Sequence, residues 1–277
     1  MKKIRITTDS TCDIDLKTLK ERNIGIAHLK TFDNKTNEEV SKEELFSLLQ
    51  QGHKITTSAP NLIDYEDLFT ETLENYDDVI HLNMSGKMSA SYKNALLAKE
   101  ELNTDRITVI DTNNLTMALA LIVLYSSDIT EETNNKKEAL ELIKDYIKRV
   151  EMLVVPETVK YATGGGRLAA PAFNLMNLKA QLKMVKGLPK LVGKSRGTYL
   201  EVATKYFSKT LNDLFDIDID RAVFGYSSNK EDIDIMMGNI PNIQEFLHIN
   251  TFEAGPVISS HVGPNTLALS YARKKSN

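Results

Sequence analysis

Asp78-Val-Ile-His-Leu-Asn-Met-Ser-Gly-Lys-Met-Ser-Ala-Ser-Tyr92 is the stretch on which the fold turns. Residues 78–82 form a short apolar run with β-branched members, which reads as a buried strand. Ser85 to Tyr92 then supplies the small and hydroxyl-bearing residues of a strand-to-helix turn. The same unit recurs on both sides. Residues 4–8 are strand-like and residues 14–22 have helical spacing. Residues 25–29 and 106–110 are further strands, the second followed by a polar turn and a helix. Ser41 and Glu44 make a capping box for a helix over 42–51, which Gly52 ends. A helix over 63–75 turns Leu68, Phe69 and Leu73 inward. Strand alternating with helix implies a parallel sheet covered on both faces. Such sheets bind ligands at the carboxyl ends of their strands.

Beyond the polar stretch 130–137 the order is less regular. A helix over 138–149 leads to a strand at 152–155. Strands follow at 221–227, 246–251 and 257–261, with a helix at 233–240. The expected organisation is α/β with two domains, residues 1–150 and residues 151–277, the second with mixed α/β content.

Composition narrows the function. The chain has 277 residues, 42% hydrophobic and 26% charged, the profile of a soluble globular protein. Its net charge of −4 gives no general attraction to nucleic acid or to an anionic membrane. Cys12 is the only cysteine, so no intramolecular disulfide forms and a reducing compartment is expected. The N-terminus has no apolar core of a signal peptide. The longest apolar run, residues 117–124, is too short to span a bilayer. A cytoplasmic protein without stable membrane insertion is the expectation.

Several motifs admit two readings each. Thr8-Asp9-Ser10 at a strand's end lines a site or caps the next turn. Thr56-Thr-Ser-Ala-Pro60 offers hydroxyls to a ligand or is an ordinary helix N-terminus. The turn from Ser85 to Tyr92 converges N–H groups and hydroxyls on one carboxylate or phosphate, or is a capped glycine turn. Gly164-Gly-Gly-Arg167 ends a flexible turn in a guanidinium suited to an anion or to solvent. Gly255 to Pro264 reads as a strand ending in His261 and closed by Gly-Pro, which holds an imidazole where it suits a carboxylate.

Two nucleotide signatures fail on spacing: the glycines before Lys194-Ser195 are one residue too far apart for a phosphate loop, and no dinucleotide fingerprint opens the first helix. Gly193-Lys-Ser195-Arg-Gly197 matches the nucleophile elbow of serine hydrolases, with His261 downstream as that triad order requires. Gly187 and Pro189 argue against the buried strand this elbow needs. One cysteine and no histidine pair at ligand spacing leave a metal site without support. A serine esterase using Ser195 and His261, and a small-molecule kinase or transferase with a phosphate site at 85–91, stay open as alternatives.

In order and spacing, these motifs resemble those of the DegV family of bacterial fatty-acid-binding proteins. The residues that carry the resemblance are Thr8 to Thr11, Thr57 to Pro60, Ser85 to Tyr92, Asp111, Gly165-Gly-Arg167, and Gly255 to Pro264. It implies an N-terminal three-layer α/β/α domain with a parallel sheet. It also implies a C-terminal two-layer α/β domain with a mixed sheet, and one fatty acid such as palmitate, stearate or oleate in a tunnel between the two. It implies a carrier rather than an enzyme, with no cofactor. A separate ATP-dependent fatty-acid kinase would phosphorylate the bound acid for phospholipid synthesis. The implied carboxylate contacts are Thr57, Ser58, Ser85, Gly86 and His261. The implied kinase contacts are Arg167 and Arg196. Leu175, Met176, Leu178, Met184 and Ile258 are candidate tunnel walls, although core packing alone also explains each. Ala59 stands where the family usually has Gln, and Gly86-Lys87 replaces a Ser-Gly pair.

Overall fold

The computed structural model describes residues 3–161 and 178–275. In chain order the first half runs β1 (Ile4–Asp9), α1 (Leu16–Glu21), β2 (Gly25–Ala27), β3 (Lys30–Asp33), α2 (Lys42–Gln50), β4 (Ile55–Ser58), α3 (Leu62–Asn75), β5 (Asp78–Asn83), α4 (Ser91–Glu101), β6 (Ile107–Asp111), α5 (Thr116–Glu132) and α6 (Lys136–Arg149). Then follow β7 (Val150–Pro156), β8 (Leu178–Val185), β9 (Leu188–Arg196), α7 (Tyr199–Leu211), β10 (Ile217–Tyr226), α8 (Lys230–Met237), β11 (His248–Glu253), α9 (Pro256–Val262) and β12 (Thr266–Arg273).

The apolar runs pair as a parallel sheet in the order β2-β1-β5-β6. One face is covered by α3 and α4, whose Tyr65, Phe69, Ala95 and Ala98 pack on Val79 and Ile107. The other face packs on α5. Capping boxes at Ser41/Glu44 and Asn61/Asp64 start α2 and α3. The second sheet runs β11-β10-β12-β7-β8-β9 and is mixed: β10 and β11 are parallel, the other pairs antiparallel. Strand alternation sends Leu153, Val155, Leu267 and Leu269 to a layer formed by α7 and α8. Met152 and Ala268 point the other way, toward α5.

Helix α5 explains the apolar run 117–124. Ala118 to Leu124 have no exposed surface, because α5 lies between the two sheets. It meets Ile80, Leu82 and Ile110 of the first sheet and Met152, Val223 and Ala268 of the second. A helix covered on all sides is apolar on all sides. Among the described residues no helix is long and apolar enough to cross a membrane.

Two expectations are corrected. Residues 257–261 form a helix rather than a strand. Pro256 occupies its first turn, where a missing N–H costs nothing, and Gly255 is its N-cap. Gly263 ends it at φ 76°, where an added Cβ would come within 2.3 Å of the Tyr161 ring. Residues 55–58 are a strand, β4, paired antiparallel with β3, and the cap of α3 comes later, at Asn61. No expectation covers β3, β8, β9, α7 or β12, which the structure adds. Lys186 and Gly187 both have positive φ and turn β8 into β9 as a two-residue hairpin between Val185 and Leu188.

Candidate functional site

A cavity of about 360 Å³ lies beyond the carboxyl ends of the parallel strands. That is within the ~300–1,000 Å³ typical of small-molecule pockets. Its walls come from both halves of the chain. The first half supplies Leu29, the segment after β5 (Met84, Met88, Ser89, Ala90) and the start of α5 (Leu115, Thr116, Met117). The second half supplies Met152 and Val154 of β7, the β8–β9 hairpin, Gly225 of β10, Ala268 of β12 and Val257, Ile258 and Val262 of α9. Most of this lining is aliphatic or thioether, which suits a hydrocarbon chain.

The polar corner joins two residues 204 positions apart. Thr57 Oγ1 lies 3.4 Å from His261 Nε2, and both side chains line the cavity. Strand alternation turns Thr57 of β4 to the cavity, and Ala59, just past the strand, also lines it. His261 lies in the last turn of α9, where the helix dipole favours positive charge.

The other end of α9 is bound to the first half of the chain. Asp13 accepts from the Gly255 N–H at 2.9 Å and from Thr116 Oγ1 at 2.7 Å. Lys42 donates to the Ser227 and Ala254 carbonyls at 2.6 and 2.7 Å, and to Ser259 Oγ. It also pairs with Glu253 at 3.6 Å. Burial pushes the Asp13 carboxyl up to about 7 against the opposing pull of its hydrogen bonds and of Lys42. Burial also lowers the Lys42 ammonium. Asp9 behaves as a cap: it accepts from Thr11 and from the Met84 N–H, has no exposed surface, and is pushed by burial up to about 6.

The remaining sequence-derived positions lie elsewhere. Ser58 is exposed on the opposite face of β4 and donates to the Ala59 carbonyl. Ser85 is fully buried and donates to the Gly187 carbonyl at 2.8 Å, across the hairpin turn. Lys87 makes a parallel bond to the Lys186 carbonyl, also 2.8 Å. The Gly86 N–H donates to Asp111 at 3.2 Å. Neither Ser85 nor Gly86 lines the cavity, so the structure does not bring them together with Thr57 and His261. Of the candidate walls, Met184 and Ile258 line it and Leu178 does not. Leu175, Met176 and Arg167 lie outside the described residues. Arg196 is exposed at the end of the edge strand β9.

Ser195 is within β9 rather than on the turn after it, and it accepts from Gln181 at 3.1 Å. It faces a separate polar groove with Lys205, Tyr206 and Arg273, one that does not include His261. That placement lacks the geometry of a nucleophile elbow.

The cavity also holds polar residues that the sequence did not single out individually, among them Ser89, Thr158, Lys183 and Tyr226. Ser89 sat inside a motif already singled out. Lys183 was legible only if β8 was seen as a strand, since Leu182 and Met184 flank it there. Its ammonium pairs with Glu151 at 2.9 Å.

The family model described as uncharacterised protein, DegV family, matches residues 3–274. A DegV domain-containing protein of Caldanaerobacter subterraneus is 25% identical over 283 residues, covering 99% of this chain and all of that one. A structure described as fatty acid binding of a DegV family protein from Thermus thermophilus superposes with a TM-score of 0.89 at 25% identity, covering 98% of this chain and all of that one. A DegV lipid-binding protein from Thermotoga maritima shares the fold, with a TM-score of 0.86 at 22% identity over 99% of this chain and all of that one. The chain belongs to the DegV family.

Proposed function

We propose that this protein binds one long-chain fatty acid, with the acyl chain in the cavity between the two sheets and the carboxylate at Thr57 and His261. The observation that carries this reading is the meeting of a hydroxyl and an imidazole at one corner of an otherwise aliphatic cavity. Burying about fifteen methylenes at ~0.8 kcal/mol each yields at most about 12 kcal/mol before the costs of association. A buried carboxylate without partners would cancel much of that. Thr57 and His261 offset the cost without acting as nucleophiles. The fatty acid bound by the Thermus thermophilus relative supports the same ligand class here.

The protein is a carrier in this reading. It presents the carboxylate to a separate ATP-dependent fatty-acid kinase, which supplies nucleotide and metal. Arg196, exposed on the edge strand, and Arg167 are the proposed contacts for that partner.

Native mass spectrometry of the protein purified from bacterial cells, followed by denaturing extraction, tests the reading. The expected result is a fatty acid at about one per chain. Absence of lipid, also after addition of palmitate or oleate, would overturn it.

A further inference from the structure

Among the described residues five methionines, Met84, Met88, Met117, Met152 and Met184, line the cavity. Among the described residues no phenylalanine lines it, and Tyr226 contributes the one phenol ring. Thioether chains are unbranched and polarizable, and they rearrange around ligands of different outline.

Met117 has a specific seat. A Cβ placed on Gly225 would lie 2.5 Å from Met117 Cγ and 2.6 Å from its Sδ and Cε. Such distances are far inside contact range, so the side chain occupies the space that the glycine leaves vacant. Gly225 stands opposite Ala268 in the β10–β12 pairing, and both line the cavity. Two small residues on neighbouring strands make a trough in the sheet, and Met117 lies in it. A glycine inside a strand weakens the strand and marks a close approach. Here the close approach is by a cavity-lining side chain.

We propose that the Gly225–Met117 pair sets the cross-section of the cavity, so that it accepts both straight saturated and cis-bent monounsaturated acyl chains. The proposal rests on the fatty-acid reading above. A methyl group at position 225 evicts the end of Met117. The sheet backbone lies on one side of that side chain and the α5 core on another, so the cavity receives it. The bore narrows, and a bent chain suffers more than a straight one. A misfit of one methylene in an apolar pocket changes binding by ~10–200-fold.

The test uses the delipidated full chain with stearate and oleate as probes, by displacement of a fluorescent fatty acid. The parent protein binds the two within about threefold, well below a one-methylene misfit. Gly225→Ala weakens oleate relative to stearate by about tenfold or more. Adding Met117→Ala to Gly225→Ala removes the evicted side chain and returns the ratio to the parent value. Met117→Ala alone, which leaves the strand untouched, shifts the ratio toward oleate. An unchanged ratio in both single variants overturns this inference while the fatty-acid reading stands. A parent protein that already discriminates by more than about tenfold does the same. Failure of the parent protein to bind either acid overturns the fatty-acid reading and this inference with it.

Discussion

The corner at Thr57 and His261 and the loop at Ser85–Lys87 look alike in sequence. Each sets hydroxyls beside a strand end or turn, and each suits an anion. The structure uses them differently. At the first, side chains from β4 and α9 meet on the cavity wall. At the second, Ser85 Oγ and Lys87 Nζ are committed to the carbonyls of Gly187 and Lys186. The loop fastens the β8–β9 hairpin, which in turn supplies Met184 and Pro189 to the cavity. A hydroxyl can serve a ligand only where its side chain lines the cavity, as Thr57 does and Ser85 does not. What its neighbours offer depends on the partner element, and at both places that element is distant in sequence.

The contrast is sharpest if the first corner depends on its anchor behind α9. Asp13 binds the N-terminus of that helix and is pushed up to about 7 from 3.8, and Asp9 to about 6. Both carboxyls hold protons in the folded state at pH values where the unfolded chain has lost them. The folded state therefore binds more protons between about pH 4 and 7, and these groups make stability fall as pH rises through that window. Asp13→Asn keeps an acceptor for the Gly255 N–H and, like the protonated acid, a donor on its other side. Its stability should fall less steeply with pH over the same range. The difference in slope amounts to up to about 4 kcal/mol across the window. Urea unfolding at a series of pH values measures it. Parallel slopes for the two proteins would show that Asp13 is ionised throughout.

The corner itself is broken by His261→Ala. Losing one hydrogen-bond partner of the charged carboxylate removes roughly 1.5–3 kcal/mol, or about 10–100-fold in fatty-acid affinity. Thr57→Val removes a hydroxyl from the same carboxylate and costs at the lower end of that range, about 1.5 kcal/mol, or roughly 10-fold. Titration with oleate reads both. Equal, negligible losses would move the carboxylate away from this corner.

Much of the first sheet was legible because its strands are continuous apolar runs, and the nearby helix α2 was legible from its capping box at Ser41 and Glu44. The run 117–124 was visible, but its cause was not: only a second sheet on its far side demands an apolar helix all round. The second half was harder. Val257-Ile-Ser-Ser-His261 is too short for periodicity to separate helix from strand. Pro256 at the first helical position was the signal that decides it. Lys186-Gly187 is an uncommon hairpin dipeptide, so alternating Leu178, Ala180 and Leu182 went unread as a strand. Thr57 and His261 became neighbours only through resemblance and then geometry, since no local pattern links residues so far apart.

The smallest expected effect tests the other side of the contrast. Ser85→Ala deletes the donor to Gly187 and leaves a carbonyl short of one partner at the hairpin turn. The cost is about 1 kcal/mol of stability, seen as a lower urea midpoint with an unchanged slope. Fatty-acid affinity should stay within about twofold, because the hydroxyl is bonded to the hairpin and not aimed at the cavity. A loss as large as that of His261→Ala, with the urea midpoint unmoved, would reverse the assignment. Ser85 would then serve the ligand, and the bond to Gly187 would be one it gives up on binding. Lys87 supplies a control, since its bond to Lys186 fastens the same turn through an exposed side chain. If the loop is a fastener, Lys87→Met should act in the same direction as Ser85→Ala, and more weakly, because water replaces what an exposed partner loses.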